Sequence, residues 1–575
     1  MRICLVTPFS WSVPHEVNDH VAGVAAELRK LGHRVTVLAP SGRAADLREG
    51  RRSLADGADA DLIALGPSVP ISRRTSMGVP VGSRASLTIA LTRGGYDVVH
   101  GFEPGLPSLS YLALRHARTI SVASFFSPER LGYPPGKAQR ERLLGRIDAL
   151  VASSPEVAEA AAERFPGDYR VLSPGVDTKL FHPARKRRVI VLEWRGLERP
   201  LARSVIRMLD ELPGWELVVL RTRPFSGRPY VPRRLARRVH SRLARSPAER
   251  APLLAEASIF VPALEGSARL ALEADAAGAA PAAPPHREEQ PELVGAAVAR
   301  LAENAAARAR ASDTARRRAE QNSFAAVAAE LNSLYRALAR RRRNARSDGD
   351  PLAGRPWILC DLHMHTEWSH DCSIAVPDLL EHAEAIGLGA IAVTDHNRFG
   401  GAREAVEQAR GRKLTVIPAE EVKTDGQGEV IGLFLEEEIP RGLSFADTIA
   451  AIKAQGGLVY LPHPFDRMHA IPSPRTLHRH LADIDVFEVY NARLMRESFN
   501  VEALRFARKY DLTMGAGSDA HVLQGVGTGA VRMRAFNGPE EFLVSLNGAE
   551  ILRRPKSLVY LQGLKWVAQA KERVR

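Results

Sequence analysis

Between residues 361 and 521, five short apolar runs each end in residues able to bind metal ions, and this repetition constrains the fold more than any other feature. The first delivers Asp361-Leu362-His363-Met364-His365-Thr366, and the second, Ala390-Ile391-Ala392-Val393, delivers Thr394-Asp395-His396-Asn397. Leu414-Thr415-Val416 leads to Ile417-Pro418-Ala419-Glu420-Glu421, and Gly457-Leu458-Val459-Tyr460 leads to Leu461-Pro462-His463-Pro464. The last is Gly517-Ser518-Asp519-Ala520-His521. Strands that are apolar throughout and then present His, Asp or Glu fit parallel barrel strands offering ligands on their carboxyl-end face. One His-x-His alone puts two imidazoles on one strand face, where they serve equally as a surface patch or as hydrogen-bonded core residues. Five ordered clusters of His and carboxylate predict a multinuclear site suited to Zn, Mn or Fe.

On these residues the segment 356–550 resembles the PHP (polymerase and histidinol phosphatase) metal-dependent phosphoesterases. The first motif is similar to His363-x-His365 followed by Asp371, and the second to Thr394-Asp395-His396. Glu421 matches the third carboxylate, His463-Pro464 the lone His-Pro, and Asp519 with His521 the last motif. The resemblance implies a distorted seven-stranded barrel with two or three divalent ions. Where many relatives carry a His on the strand after the Glu, this chain has Glu429, which would make the site harder.

Bound metal lowers the pKa of its water from about 15.7 towards about 7, and a second ion clamps phosphoryl oxygens, so hydrolysis needs no covalent intermediate. Asp371 and Glu421 are candidate bridging carboxylates, and His463 either binds metal or protonates the leaving oxygen. Arg467, beside Asp466 and near His469, is a candidate phosphate contact because guanidinium forks onto phosphate oxygens; a surface salt bridge is the alternative. Asn491 is a candidate for the pocket wall, and Glu488 for either the pocket or a buried structural acid.

A chain of 575 residues exceeds one core and predicts several domains. Its 45% apolar content excludes global disorder. Cys4, Cys360 and Cys372 are too few and too scattered for a disulfide framework, which favours a reducing cytoplasm. No apolar run reaches the ~20 residues that span a bilayer. The amino terminus enters a strand directly, too soon for a signal peptide. The formal net charge of +14 divides as +4 in 1–180, +13 in 181–350 and −3 in 351–575. Basic runs at 233–238 and 340–343 would attract anionic lipid, polyphosphate or nucleic acid, yet no aromatic interleaving favours single strands, and an Arg-rich solvated helix face explains 305–318 equally well. A tail over 551–575, with Lys556, Trp566 and Lys571 among apolar residues, weakly favours an interfacial helix, hence peripheral contact with the inner face of an anionic membrane.

Residues 1–350 alternate between strand and helix patterns. Arg2 to Thr7 reads as a buried strand, His20 to Leu31 as an amphipathic helix stopped by Gly32, and Arg34 to Ala39 as the next strand. Further strands are expected at 96–100, 149–153, 188–192, 215–220 and 257–262, giving two doubly wound domains with a cleft between them.

Pro174 to Pro183, Leu31-Gly32-His33-Arg34-Val35-Thr36-Val37-Leu38 and the pair Glu265 and Glu273 resemble segments of the GT-B retaining glycosyltransferases of family 4. That resemblance implies Rossmann-like domains at 1–180 and 181–335, a basic helix end and linker at 336–355, and an NDP-sugar donor. It places Glu273 on the nucleotide ribose, Glu265 beside the donor sugar, and the diphosphate on the helix opened by Gly266-Ser267. Several positions depart from the pattern. His15-Glu16 stand where a glycine pair is expected, only Arg195, with Arg199 as a weaker candidate, stands for the Arg and Lys that neutralise the leaving diphosphate, and Phe126 replaces a sugar-contacting His. The whole chain is therefore expected to be α/β, with two doubly wound Rossmann-like domains followed by a distorted seven-stranded β/α barrel.

Two functional expectations follow. One is a bifunctional protein of glycan or glycolipid metabolism that hydrolyses a phosphorylated small molecule or sugar and transfers a sugar to a lipid or glycan acceptor. The other is a phosphoesterase, nucleotide phosphatase or nuclease whose glycosyltransferase-like half is a catalytically degenerate binding module.

Overall fold

Ile3, Cys4, Leu5 and Val6 are fully buried, so the strand Arg2–Val6 is covered on both faces, as an interior parallel strand must be. It pairs in parallel with Arg34–Ala39 on one side and Val98–Phe102 on the other. The computed structural model of the chain describes residues 1–56, 60–72, 77–80, 82–196, 199–222, 226–263, 268–282, 291–341, 351–554, 556–557, 560 and 563–564. These form two units, Met1–Arg336 and Ala337–Arg575.

The first unit contains a seven-stranded parallel sheet in the order Leu62–Ala64, Arg34–Ala39, Arg2–Val6, Val98–Phe102, Ile120–Phe125, Ala149–Ala152 and Tyr169–Val171. A second parallel sheet runs in the order Val239–Leu243, Glu216–Arg221, Val189–Trp194, Ile259–Val261 and Ala280–Pro281. Both orders start in the middle and wind outward each way, the doubly wound arrangement. The first helix begins at Glu16 rather than near His20, because the His15 side chain accepts from the Val17 N–H and caps it, with Glu16 and Asp19 in the first turn.

The two sheets are joined twice. After the crossing at Gly175, the helix Phe324–Ala339 returns to the first sheet, where His100 Nδ1 meets Tyr335 Oη at 2.6 Å and His33 Nε2 meets Asn332 Oδ1 at 2.9 Å. A Cβ on Gly23 or on Gly175 would lie within 2.5 Å of the Phe324 ring, so the ring packs where both glycines leave space. Burial holds His100 neutral, its pKa lowered to about 3.

In the second unit, the strands Trp357–Met364, Ala390–Val393, Thr415–Lys423, Glu429–Leu433, Leu458–Leu461, Val486–Asn491 and Met514–Gly517 lie side by side in chain order. Glu429–Leu433 runs antiparallel to both neighbours, whereas the other adjacent pairs are parallel. The seven strands curl until the last meets the first. Met364 bridges Ala520, His365 N–H donates to Ala520 O at 3.1 Å, and Asp519 N–H donates to His363 O at 2.7 Å. Asp361 secures this closure by accepting from the Ser518 and Gly527 N–H groups at 2.9 Å each. Gly529–Arg534 and Glu550–Arg553 extend the sheet antiparallel from Trp357–Met364, so the final strand runs to Arg553. Trp566 and Lys571 of the expected interfacial tail lie outside the described residues.

Candidate metal centre and a second, arginine-lined cleft

The reversed strand explains the ligand order. Six strands deliver polar residues at or after their carboxyl ends, and Glu429 stands at the amino end of the one strand running the other way, on the same rim. Nearby residues hold strained backbone. Asn397, His463 and Asp519 have φ of 51°, 24° and 52°, a region side-chain-bearing residues rarely adopt and one that clusters at functional sites.

The structure brings the nine sequence-predicted ligands together. His363 Nε2 lies 3.4 Å from Glu421 Oε2 and 3.9 Å from Asp519 Oδ1, and His365 Nε2 lies 3.6 and 3.4 Å from the same two oxygens. His463 Nε2 is 3.1 Å from Glu421 Oε1 and 3.7 Å from Glu429 Oε2, and His396 Nδ1 is 3.0 Å from Glu421 Oε2. Asp371 lies 3.0 Å from His521 Nε2 and 3.7 Å from His396 Nε2. Four sets of three donors each fall within 4.8 Å: His365, His396 and His521; His363, His365 and Asp519; His363, Glu421 and His463; and His396, Glu421 and Glu429. Glu421 belongs to two of them, as a bridging carboxylate would.

These residues fit metal ions for a reason visible in the side chains. His363 Nε2, His365 Nε2 and Glu421 Oε2 are buried without a hydrogen-bond partner, a costly arrangement unless a cation accepts their lone pairs. Separations near 3.4 Å also suit atoms each ~2.1 Å from a common tetrahedral centre. The field agrees. Burial alone would lower the His396 and His463 pKa values, yet the Glu421 carboxylate outweighs it and raises both to about 9. The Glu421 side of the pocket favours positive charge.

A second layer of side chains orients the donors. Glu488, 1% exposed, accepts from Tyr460 Oη at 2.9 Å and from the His463 N–H at 2.6 Å, and its Oε1 lies 3.1 Å from His363 Nδ1. This fixes which His363 nitrogen faces the cluster. Asp395 accepts from Thr366 N–H, Thr366 Oγ1 and Ser369 Oγ at 2.7, 2.6 and 2.7 Å, so its carboxylate braces the His365 loop. Asn491 donates to Asp519 Oδ2 and Glu488 Oε2 at 3.2 Å each. Arg467 pairs with Glu502, Nη2 to Oε2 3.7 Å, and His469 pairs with Asp466. The sequence reading passed over Arg493, whose Nη1 lies 3.2 Å from both Asp519 Oδ1 and His521 Nε2. A rim Arg two residues beyond Asn491 was the available signal.

In the first unit a cavity of about 160 Å³ is lined by residues of both sheets' loops, among them His15, Glu16, Asp19, Arg130, Arg195, Arg250, Arg269 and Glu273. Glu273 is fully buried, and both its oxygens accept from Arg250 at 2.6 Å. Arg269 lies 3.2 Å from Glu273 and reaches across to Asp19 Oδ2 at 2.8 Å and the Glu16 carbonyl at 2.9 Å. Phe126 packs edge-on to His20, ring centroids 5.0 Å apart. Glu265, Gly266 and Ser267 lie outside the described residues.

Comparison with known families agrees with this division. The model of glycosyltransferase family 4 matches residues 17–180, that of the PHP domain residues 361–500, and that of the PHP-associated region residues 497–549. The chain joins a glycosyltransferase family 4 region to a PHP region. An uncharacterized protein of Methanocaldococcus jannaschii is 35% identical over 213 residues, 35% of this chain and 84% of that protein. The phosphatidyl-myo-inositol mannosyltransferase of Propionibacterium freudenreichii subsp. shermanii is 30% identical over 225 residues, 38% of this chain and 56% of that enzyme. A solved glycosyltransferase from Rickettsia africae shares 15% identity, covering 59% of this chain and 98% of its own, with a TM-score of 0.41. In the PHP half, the candidate ligand residues His363 to His521 lie within the two matched stretches. No helix among the described residues is long and apolar enough to cross a membrane.

Proposed function

We propose that the PHP half is a metal-dependent phosphoester hydrolase, and that the family 4 half is a recognition module for a nucleotide, sugar or glycolipid rather than a sugar-transferring enzyme. The observation carrying the first part is the convergence of nine metal-binding side chains from six of the seven barrel strands and the loops after them, with three buried donor atoms left for cations. His363, His365, Asp519, Glu421, His463, Glu429, His396, Asp371 and His521 would hold two or three divalent ions. Such ions supply hydroxide at neutral pH and neutralise the phosphoryl oxygens. The protein's own contribution is orientation. Glu488 fixes His363, Asn491 fixes Asp519, and the Asp395 network fixes His365. His463, whose backbone N–H is held by Glu488, is the one of the nine with an alternative role: left unmetallated, its imidazole would protonate the leaving oxygen instead.

The second part is supported by the cleft. A glutamate expected to accept ribose hydroxyls has both oxygens occupied by Arg250, and Arg269 ties Glu273 to Asp19 across the cleft. A transferase remains the second reading, favoured by similarity to phosphatidyl-myo-inositol mannosyltransferases, and it would take an NDP-sugar donor and a lipid-linked acceptor at the cytoplasmic face of a membrane.

The test is phosphate release from sugar phosphates, nucleotides and short oligonucleotides with Mn2+, Zn2+ or chelator, with the His363→Ala, His365→Ala double variant in parallel. Metal-dependent release falling at least a hundredfold in the variant is expected. Release unchanged in the variant would sink the hydrolase reading, and turnover of an NDP-sugar without phosphorylated substrate would restore the transferase.

A further inference from the structure

We infer that Arg493, rather than Arg467, is the residue that anchors the phosphate of the substrate in the PHP site. The inference rests on the hydrolase reading above and adds the residue that recognises the ester's charge.

Three observations carry it. First, Arg493 lies at the cluster itself, with Nη1 3.2 Å from Asp519 Oδ1 and from His521 Nε2, and Nη2 3.9 Å from Asp371 Oδ2. An oxygen shared between the cluster and a guanidinium so placed would meet both. Second, its backbone is built into the site. The Arg493 N–H donates to Asn491 Oδ1 at 2.9 Å, while Asn491 Nδ2 holds Asp519 and Glu488, so the loop carrying the guanidinium is tied to the donors it flanks. Third, the side chain is 36% exposed while Asp519 and His521 beside it are 10% and 3% exposed. The Arg493 side chain thus borders the buried donors while remaining partly open to solvent.

Arg467 lacks these features, because its guanidinium faces Glu502 on the helix Glu497–Tyr510. A planar guanidinium offers parallel N–H groups matched to two phosphate oxygens, which an ammonium cannot reproduce. An Arg here therefore engages two non-bridging oxygens of the phosphate at once, where Lys would offer a single point charge.

The test compares Arg493→Gln, Arg493→Lys and Arg467→Gln in the full-length protein loaded with Mn2+. Calorimetric titration with inorganic phosphate and steady-state hydrolysis of a phosphomonoester are both read, along with bound metal per chain. Arg493→Gln is expected to weaken phosphate binding and raise KM at least tenfold with metal content unchanged. Arg493→Lys should recover only part of the loss, and Arg467→Gln should change either quantity less than threefold. Unchanged phosphate affinity in Arg493→Gln, or an equal loss in Arg467→Gln, would overturn the assignment. If wild type hydrolyses no ester but binds phosphate through Arg493, the hydrolase reading fails and the anion-binding role stands. If it binds no phosphate either, both fail.

Discussion

Glu488 shows how one buried carboxylate organises a site without being among its ligands. It receives Tyr460 Oη, the His463 N–H and an Asn491 amide proton, and it faces His363 Nδ1. Replacing it with Gln keeps the shape but substitutes an amide for the carboxylate oxygen nearest His363 Nδ1. Removal of such outer partners typically costs 10–100-fold in metal affinity. Glu488→Gln is therefore expected to bind Mn2+ about 10–100-fold more weakly, measured by titration calorimetry, with little change in far-ultraviolet circular dichroism. Affinity within threefold of wild type would show that His363 is oriented by the sheet alone.

At the scale of elements, the site depends on how tightly the last barrel strand closes on the first. A Cβ on Gly517 would sit 2.2 Å from His363 Cβ and 3.0 Å from His363 N and Glu488 Oε1, so this strand end needs glycine for close approach. Gly517→Ala should cost about 1–3 kcal/mol from overpacking, read as a lower denaturant midpoint, and should weaken metal binding because the displaced neighbour, His363, is a proposed ligand. A variant as stable as wild type would mean that the closure yields freely. Much of this was legible in the sequence, since apolar runs ending in His, Asp or Glu report both the strands and their ligand-bearing ends. What stayed hidden has physical causes. The direction of Glu429–Leu433 leaves no mark in its Val-Ile-Gly-Leu run, the start of the first helix depended on a His15 cap outside the usual Ser, Thr, Asp and Asn set, and Arg493 and Arg467 are indistinguishable until the fold gives one a site and the other Glu502.

Across the whole molecule, the two units differ in what should stabilise them. The donor set comes entirely from residues 363–521, inside the unit Ala337–Arg575, whereas the arginine-lined cleft belongs to Met1–Arg336. A ligand that binds only folded protein stabilises by RT ln(1 + [L]/Kd), about 2.7 kcal/mol at a hundredfold excess over Kd. For a unit of this size each kcal/mol moves the melting temperature by ~2–4 °C, so saturating metal should raise it by roughly 5–11 °C. Buried, cation-seeking donors concentrate the effect around Glu421, because removing the ion leaves His363 Nε2, His365 Nε2 and Glu421 Oε2 unsatisfied. Chelator should accordingly speed hydrogen exchange in peptides from 357–553 and leave those from 1–336 unchanged, followed in the intact chain by mass spectrometry. Equal acceleration in both units would show that folding of the amino-terminal unit is coupled to the metal site. Protection changing in neither would mean that the clustered donors are satisfied without metal.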